Sequence, residues 1–507
     1  MANPLFDALL APHRGRDTAF LLLPDGGPIG YDGFLDLAGR IANALSALGL
    51  RAGDRVAVQA PKSPEVLALY AACVQAGVVL LPLNTAYTVA ELRYFVEDSG
   101  AALLVCDPGD ADALAPVAGE CGAKLESLGR QGAGSLMAHA AALPSDAPVA
   151  DRAGGDLAAL LYTSGTTGRA KGAMLTQDNL LSNARALTDL WRFTDRDVLL
   201  HALPIFHAHG LFVATNVILA AGGAMILLPK FDLDAVTAQL PRATSMMGVP
   251  TFYTRLLDDP RLTRDLVAHM RLFISGSAPL LPETHERFSA RSGHVILERY
   301  GMTETNMIAS NPYEGPRRAG SVGFPLPQVT VRVTDRETGA PLPRGETGMI
   351  EVRGPNVFRG YWRMPEKTAQ EMREDGFFIT GDLGRYDADG YLHIVGRDKD
   401  LIISGGLNVY PVEIEHVLDR QPGVRESAVI GVPHPDLGEA VVGVLVPEAG
   451  AEPDPEAILS ATAERLARFK QPRRLLLAEA LPRNAMGKVQ KAELRARHAG
   501  LFAPAGD

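Results

Sequence analysis

Cysteine is scarce: Cys73, Cys106 and Cys121 are the only three in 507 residues, and their spacing suits no metal. That excludes a disulfide framework and a cysteine-held zinc site, and it fits a reducing compartment with buried structural thiols. Positive charge is also in deficit. Against 59 Asp plus Glu stand 49 Lys plus Arg, a formal net charge of −10, whereas nucleic acid or an anionic membrane calls for a basic face. Any anion site must therefore be local, and no nucleic-acid or membrane partner is expected. Two apolar stretches, Val66 to Leu83 and Gly210 to Pro229, approach spanning length, but Gly77 divides the first and Gly222 with Gly223 the second. Each reads as a buried helix followed by a strand, the first begun by Ser63 and Pro64 in cap and first-turn positions. The opening MANPLFDALLAPHRGRD has no basic stretch before an apolar core, so no secretory signal is evident and a cytoplasmic location is expected. Internal repeats and low-complexity tracts are lacking.

What is present is a long chain with an α/β rhythm. At this length two or more domains are expected. Helical and strand patterns alternate from Tyr31 to about Ala150 and again from Val198 to Glu298, as in a mostly parallel sheet with helices on its faces. Between Ser321 and Gly360 the pattern changes to short strands and turns, including VTVRVTD and GMIEVRG, which predicts a small β unit of barrel-like form. A hairpin turn at Asp389-Gly390 and the charged run Arg397 to Asp400 then precede a stretch patterned as a small α+β domain. The expected fold is therefore α/β: a large N-terminal domain of βα sheets plus the β unit, residues 1–397, and a small mobile α+β C-terminal domain, residues 398–507.

Four constellations carry chemistry. The apolar run Leu157 to Tyr162 opens into Thr163, Ser164, Gly165, Thr166, Thr167, Gly168, Arg169, Ala170, Lys171 and Gly172. Glycines that let backbone N–H groups turn inward, hydroxyls and a lysine suit a polyphosphate; a mobile turn would read the same way. The loop is not a Walker A motif, which requires lysine directly after the second glycine. Tyr300-Gly301-Met302-Thr303-Glu304 follows a strand, so its hydroxyl and carboxylate sit where parallel sheets bind ligands and could meet nucleotide-borne Mg²⁺; Thr303 as a helix N-cap is the alternative. Thr380-Gly381-Asp382 reads as an acidic residue behind a turn, able to grip a ribose or merely to make the turn. Last comes PRNAMGK, with Lys488 on a glycine-bearing loop, otherwise a solvated lysine.

In this order the four resemble the adenylate-forming superfamily of acyl-CoA synthetases, peptide adenylation domains and luciferases. The resemblance covers nearly the whole chain and extends to PIFHAHG at Pro204 to Gly210, SGSAPL at Ser275 to Leu280, GRDKDLI at Gly396 to Ile402, SGGLNVYP at Ser404 to Pro411 and LARFKQP at Leu466 to Pro472. It implies two half-reactions in one site. A carboxylate attacks the α-phosphorus of ATP, giving acyl-adenylate and pyrophosphate, and the thiol of coenzyme A then displaces AMP. By resemblance, Thr163 to Lys171 hold the phosphates, Glu304 binds Mg²⁺, Tyr300 flanks adenine, Thr303 meets the α-phosphate, and Asp382 and Arg397 hold the ribose. Lys488 would bridge substrate carboxylate and α-phosphate. Lys399 would be the hinge on which the C-terminal domain turns, later bringing Ser404, Gly405 and Gly406 to a pantetheine tunnel; an ordinary surface charge is the other reading. Lys488 is also a candidate for a lysine acetyltransferase, as in related ligases.

Arg299 bears on the acid. Many relatives carry a small residue before YGMTE, lining the acyl pocket, whereas here a guanidinium stands that an apolar tail would leave buried and unpaired. A second substrate carboxylate would pair with it; an internal ion pair is the alternative, and Glu298 is a poor partner because neighbouring strand side chains face opposite ways. His207 and Ser277 occupy further acyl-pocket positions, though His207 could be an aromatic gate and Ser277 a turn residue. With LERYGMTETNM and PIFHAHG the chain looks most like malonyl-CoA synthetases, some of which accept methylmalonate. A medium-chain or aromatic acyl-CoA synthetase and a carrier-protein-loading adenylation enzyme are the alternatives.

Overall fold

The computed structural model describes residues 2–163, 170–463, 465–484 and 487–502. Six strands form one sheet in the order Lys124–Ser127, Leu103–Cys106, Arg55–Gln59, Val79–Pro82, Leu157–Thr163 and Lys171–Thr176, parallel except for the last pair. A nine-stranded sheet lies beside it, with a parallel centre running Leu297–Met302, Leu272–Ser275, Ser245–Gly248, Val198–His201, Ala224–Leu227 and Ala19–Leu22.

Strand periodicity sets which face each residue buries. Val56 and Val58 join a core shared with the nine-stranded sheet and helices Tyr31–Ala47, Pro64–Ala76 and Gln177–Leu190, while Ala57 between them faces a second core under helices Val89–Ser99 and Ala111–Glu120. Helices are thus packed against both faces of the six-stranded sheet. Helix Pro64–Ala76 starts as its sequence dictates: Ser63 Oγ accepts from Val66 N at 3.3 Å and Pro64 fills the first turn, a cap worth about 1 kcal/mol. Gly77 ends it at φ 68°. Among the described residues no helix is long and apolar enough to cross a membrane.

The β unit is a four-stranded antiparallel sheet, Thr330–Thr334, Gly348–Arg353, Phe378–Tyr386 and Leu392–Arg397. The C-terminal sheet is built on strands Val424–His434 and Gly438–Pro447. Alternation again divides it: Val429, Val441 and Leu445 face one core, and Ala428, Ile430, Val442 and Val444 the other.

Two local expectations are corrected. Tyr300 to Met302 lie not in a loop after a strand but in the strand Leu297–Met302, which pairs with Asn306–Ser310 as a hairpin, and Thr303 caps no helix. A Cβ at Gly301 would lie 2.0 Å from the Asn306 carbonyl, so glycine is what lets the two strands approach there. Likewise Thr380, Gly381 and Asp382 belong to the strand Phe378–Tyr386, not a turn, because Asp382 pairs in register with Arg397.

Candidate active site

Thr163 and Lys171 stand opposite each other as the last pair of a hairpin, flanking the connection between its strands; Ser164, Gly165, Thr166, Thr167 and Gly168 lie outside the described residues. Lys171 Nζ is 3.2 Å from Glu371 Oε1 and 4.1 Å from the centre of the Tyr361 ring. The Tyr361 hydroxyl lies 2.6 Å from Glu371 Oε2 and 3.0 Å from Glu304 Oε1, so two carboxylates flank one donor. Glu304 is buried, and burial pushes its pKa up. Phosphates arriving between Thr163 and Lys171 would reach a cation already held in place by Glu371 and Tyr361.

A second cluster gathers across the β unit. The Tyr300 hydroxyl donates to Asp382 Oδ2 at 2.6 Å, and Arg397 Nε lies 3.3 Å from Asp382 Oδ1. Asp382 N donates to Thr380 Oγ1 at 3.0 Å. The Lys488 loop closes over this group. Its turn is fixed by Asn484, whose Oδ1 accepts from Lys488 N at 3.0 Å, and a Cβ at Gly487 would lie 3.2 Å from Thr251 Oγ1. The loop is therefore seated on helix Pro250–Asp258 of the large domain. Burial, then Arg397 and Lys399, pull the Lys488 pKa from 10.5 to about 8, while Asp382 and Asp400 oppose the drop.

Lys399 sits in a short 3-10 turn, Asp398–Asp400, held at both ends. Asp398 Oδ1 is 2.6 Å from Arg336 Nε of the β unit, and Asp400 Oδ1 is 2.9 Å from Arg495 Nη1 of the C-terminal helix Lys491–His498. Ser404, Gly405 and Gly406 are not joined to this cluster: the hydrogen bonds described for their hairpin run to Leu437, Gly438 and Glu439. Thr303 is half-buried in the turn after Met302.

Around Arg299 lies a buried set of donors. Arg299 is 3 % exposed, and among the described residues no carboxylate pairs with it. Its Nη2 lies 3.5 Å from Ser277 Oγ, which is 3.2 Å from His209 Nδ1. Among the described residues, Arg299 Nε, His207 Nε2 and His209 Nε2 are buried without a hydrogen-bond partner. Burial draws the arginine pKa down to about 9 and that of His207 to about 4, so at neutral pH the cluster is one guanidinium with two neutral imidazoles. Ser277 is held at φ 72°, a conformation costing an L-residue on the order of 1 kcal/mol. Glu298 turns to the other face, where it meets His285 at 3.0 Å and Gly320 N at 3.2 Å.

His209, Tyr361 and Glu371 are the site residues that sequence reasoning missed. His209 stands two residues after His207 in the same motif, which was the available signal; nothing local marks the other two.

Residues 11–362 match the family model described as AMP-binding enzyme, and residues 413–488 match the AMP-binding enzyme C-terminal domain. The chain is 39% identical over 499 residues to a feruloyl-CoA synthase from Amycolatopsis sp., covering 97% of this chain and 98% of that one. It is 35% identical over 490 residues to a malonate–CoA ligase from Arabidopsis thaliana, covering 90% and 80%. ATP-bound MatB from Rhodopseudomonas palustris, 56% identical over 99% of this chain and 100% of its own, superposes with a TM-score of 0.97; its apo form gives 0.86.

Proposed function

The chain belongs to the AMP-binding enzyme family, as an ATP-dependent, AMP-forming acid–thiol ligase, and we propose that the acid it activates is a short dicarboxylate, malonate or methylmalonate. Arg299 carries the proposal. A buried guanidinium with no carboxylate beside it among the described residues is costly, and the cost is met when the ligand brings the second carboxylate. Ser277, His207 and His209 add neutral donors that orient that carboxylate without changing the charge count. The malonate–CoA ligase relative supports this reading. The feruloyl-CoA synthase relative points the other way, to an aromatic acid that would leave Arg299 unpaired.

In the first half-reaction the free carboxylate oxygen attacks the α-phosphorus and pyrophosphate leaves. Both reactants are anions, so positioning and charge neutralisation carry the rate. Lys488 brings the ammonium to the approaching oxygens, Arg397 and Asp382 hold the ribose, Tyr300 flanks the base, and Thr163, Lys171 and the loop between them hold the leaving phosphates, with Thr303 at the α-phosphate. Glu304 fits Mg²⁺: one buried carboxylate beside nucleotide phosphates is a donor set that leaves the ion its waters. Bound there, Mg²⁺ would offset phosphate charge. In the second half-reaction the CoA sulfur attacks the acyl carbon, AMP leaves, and the thiol proton passes to solvent. We assign residues 1–397 and 398–507 as the two bodies that rearrange about Lys399 between the steps, with Ser404, Gly405 and Gly406 then flanking the thiol's path. The higher TM-score to the ATP-bound than to the apo relative supports reading the present arrangement as the adenylating one. Acetylation of Lys488 would delete the charge this step needs.

The experiment is AMP and acyl-CoA formation with ATP, Mg²⁺ and CoA against malonate, methylmalonate, succinate, acetate, octanoate, benzoate and ferulate. Preference for the short dicarboxylates is expected; preference for octanoate, benzoate or ferulate would refute the acid assignment and leave the chemistry standing. Thioester formed on free CoA separates the enzyme from a carrier-loading one.

A further inference from the structure

Lys62, on the loop between strand Arg55–Gln59 and helix Pro64–Ala76, is a second cation for which the structure describes no carboxylate partner. All three of its N–H groups act inside the protein: His201 Nδ1 at 2.7 Å, the His201 carbonyl at 2.8 Å and the Leu203 carbonyl at 2.8 Å. Because an ammonium only donates, Nδ1 of His201 must accept, and the ring proton belongs on Nε2. Nε2 in turn donates to the Gly210 carbonyl at 2.8 Å, which also takes Thr215 Oγ1 at 3.0 Å. His201 is 1 % exposed, and burial together with Lys62 lowers its pKa to about 3, so the ring is neutral at neutral pH; burial draws the Lys62 pKa down as well, and the three acceptors around its nitrogen are what favour the ammonium.

The two ends of the relay bracket one turn. His201 and Leu203 are where strand Val198–His201 leaves the sheet, and Gly210 stands in the π-helical segment His209–Thr215. Between them the backbone folds so tightly that a Cβ at Gly210 would lie 2.1 Å from the Pro204 carbonyl. His207 and His209 are carried on that turn. π-helical segments are rare and recur at functional sites; the turn that leads into this one is held at Leu203 by Lys62 and at Gly210 by His201.

We propose that Lys62, acting through His201 and the Gly210 carbonyl, is a positioning residue for the acid: it sets the turn that aims His207 and His209 beside Arg299. The proposal rests on the reading that this pocket takes the acid, whichever acid that is. A lysine serving only the fold would weaken every substrate alike; a positioning lysine acts on one.

The test is steady-state kinetics on the full-length enzyme with the wild type's own best acid, together with an ATP-binding titration. Lys62→Met and His201→Leu are expected to raise the KM for the acid about tenfold or more while the KM and Kd for ATP stay within about twofold. His201→Gln keeps an acceptor for Lys62 and a donor for Gly210 and is expected to recover most of the loss. An unchanged acid KM in Lys62→Met overturns the proposal. So does acid and ATP worsening together with His201→Gln no better than His201→Leu. If Lys62→Met does not fold, the His201 pair decides. A wild type that prefers a monocarboxylate defeats the dicarboxylate reading, yet the same kinetics on that acid still judge Lys62.

Discussion

Arg299 lies flat against Gly276: a Cβ added to the glycine would stand 2.5 Å from the guanidinium Cζ and 2.6 Å from Nε and Nη1. Gly276 cannot gain a side chain while Arg299 keeps its seat. Gly276→Ala must push the guanidinium off its seat, and a displacement of about 1 Å in a positioning group costs on the order of 100-fold. The expected result is a drop of that order in kcat/KM for malonate with an unchanged KM for ATP, read from initial rates with each substrate varied.

Removing the charge separates function from stability. Arg299→Met is expected to lose about 2 to 5 kcal/mol of dicarboxylate binding, since the second substrate carboxylate is then left unpaired. The same change deletes a buried cation that no acid among the described residues balances, so the substrate-free protein should melt at a higher temperature than wild type. Thermal unfolding without ligand checks this; a lower melting temperature would mean that the guanidinium is structurally satisfied.

If Lys488 serves the first half-reaction as proposed, that step is pH-dependent. Its lowered pKa, about 8 in the free enzyme, leaves the ammonium present below that value and lost as pH rises through it. Pyrophosphate exchange, expressed as kcat/KM, should therefore decline above about pH 8. Lys488→Ala should lose about 100- to 1000-fold in exchange yet still form thioester from supplied acyl-adenylate. An equal loss in both half-reactions would remove the lysine from this role.

The Tyr361 hydroxyl is placed to serve two carboxylates. Tyr361→Phe strands buried Glu304, so stability should fall by about 1 to 3 kcal/mol and the KM for ATP with Mg²⁺ should rise. Chemical denaturation and ATP kinetics on the same preparation check the pair of effects.

Arg336 and Asp398 hold the hinge turn to the β unit, both about one-third exposed. An ion pair so exposed contributes up to about 1 kcal/mol. Arg336→Ala should slow pyrophosphate exchange by no more than about fivefold, and leave thioester formation from acyl-adenylate unchanged.

Much of this was legible in the sequence. The βα rhythm gave most of the parallel strands, because their apolar runs are bounded by glycine and proline, but it missed Ala19–Leu22, Lys171–Thr176 and Asn306–Ser310. Arg299 stood out as a cation where apolar packing was due, and Glu298 was read as facing away, as its bond to His285 bears out. The failures have physical causes. Tyr300 to Met302 and Thr380 to Asp382 read as loops because of their glycines, but cross-strand pairing outweighs that local signal. Strand Lys124–Ser127 escaped notice because an edge strand reading KLES lacks an apolar run. Lys62 with His201, and Tyr361 with Glu371 and Glu304, join residues far apart in the chain or lacking any periodic pattern, and only folding reveals that they meet.

On the proposed reading, the guanidinium also ties the protein's survival to the supply of its acid. A ligand that binds only the folded chain stabilises it by about 2.7 kcal/mol at one hundred times its dissociation constant, and a dicarboxylate would also supply the counter-charge that the described residues do not. Starved of its acid, the enzyme should yield faster to proteolysis; amply fed, it should accumulate without any change in its synthesis.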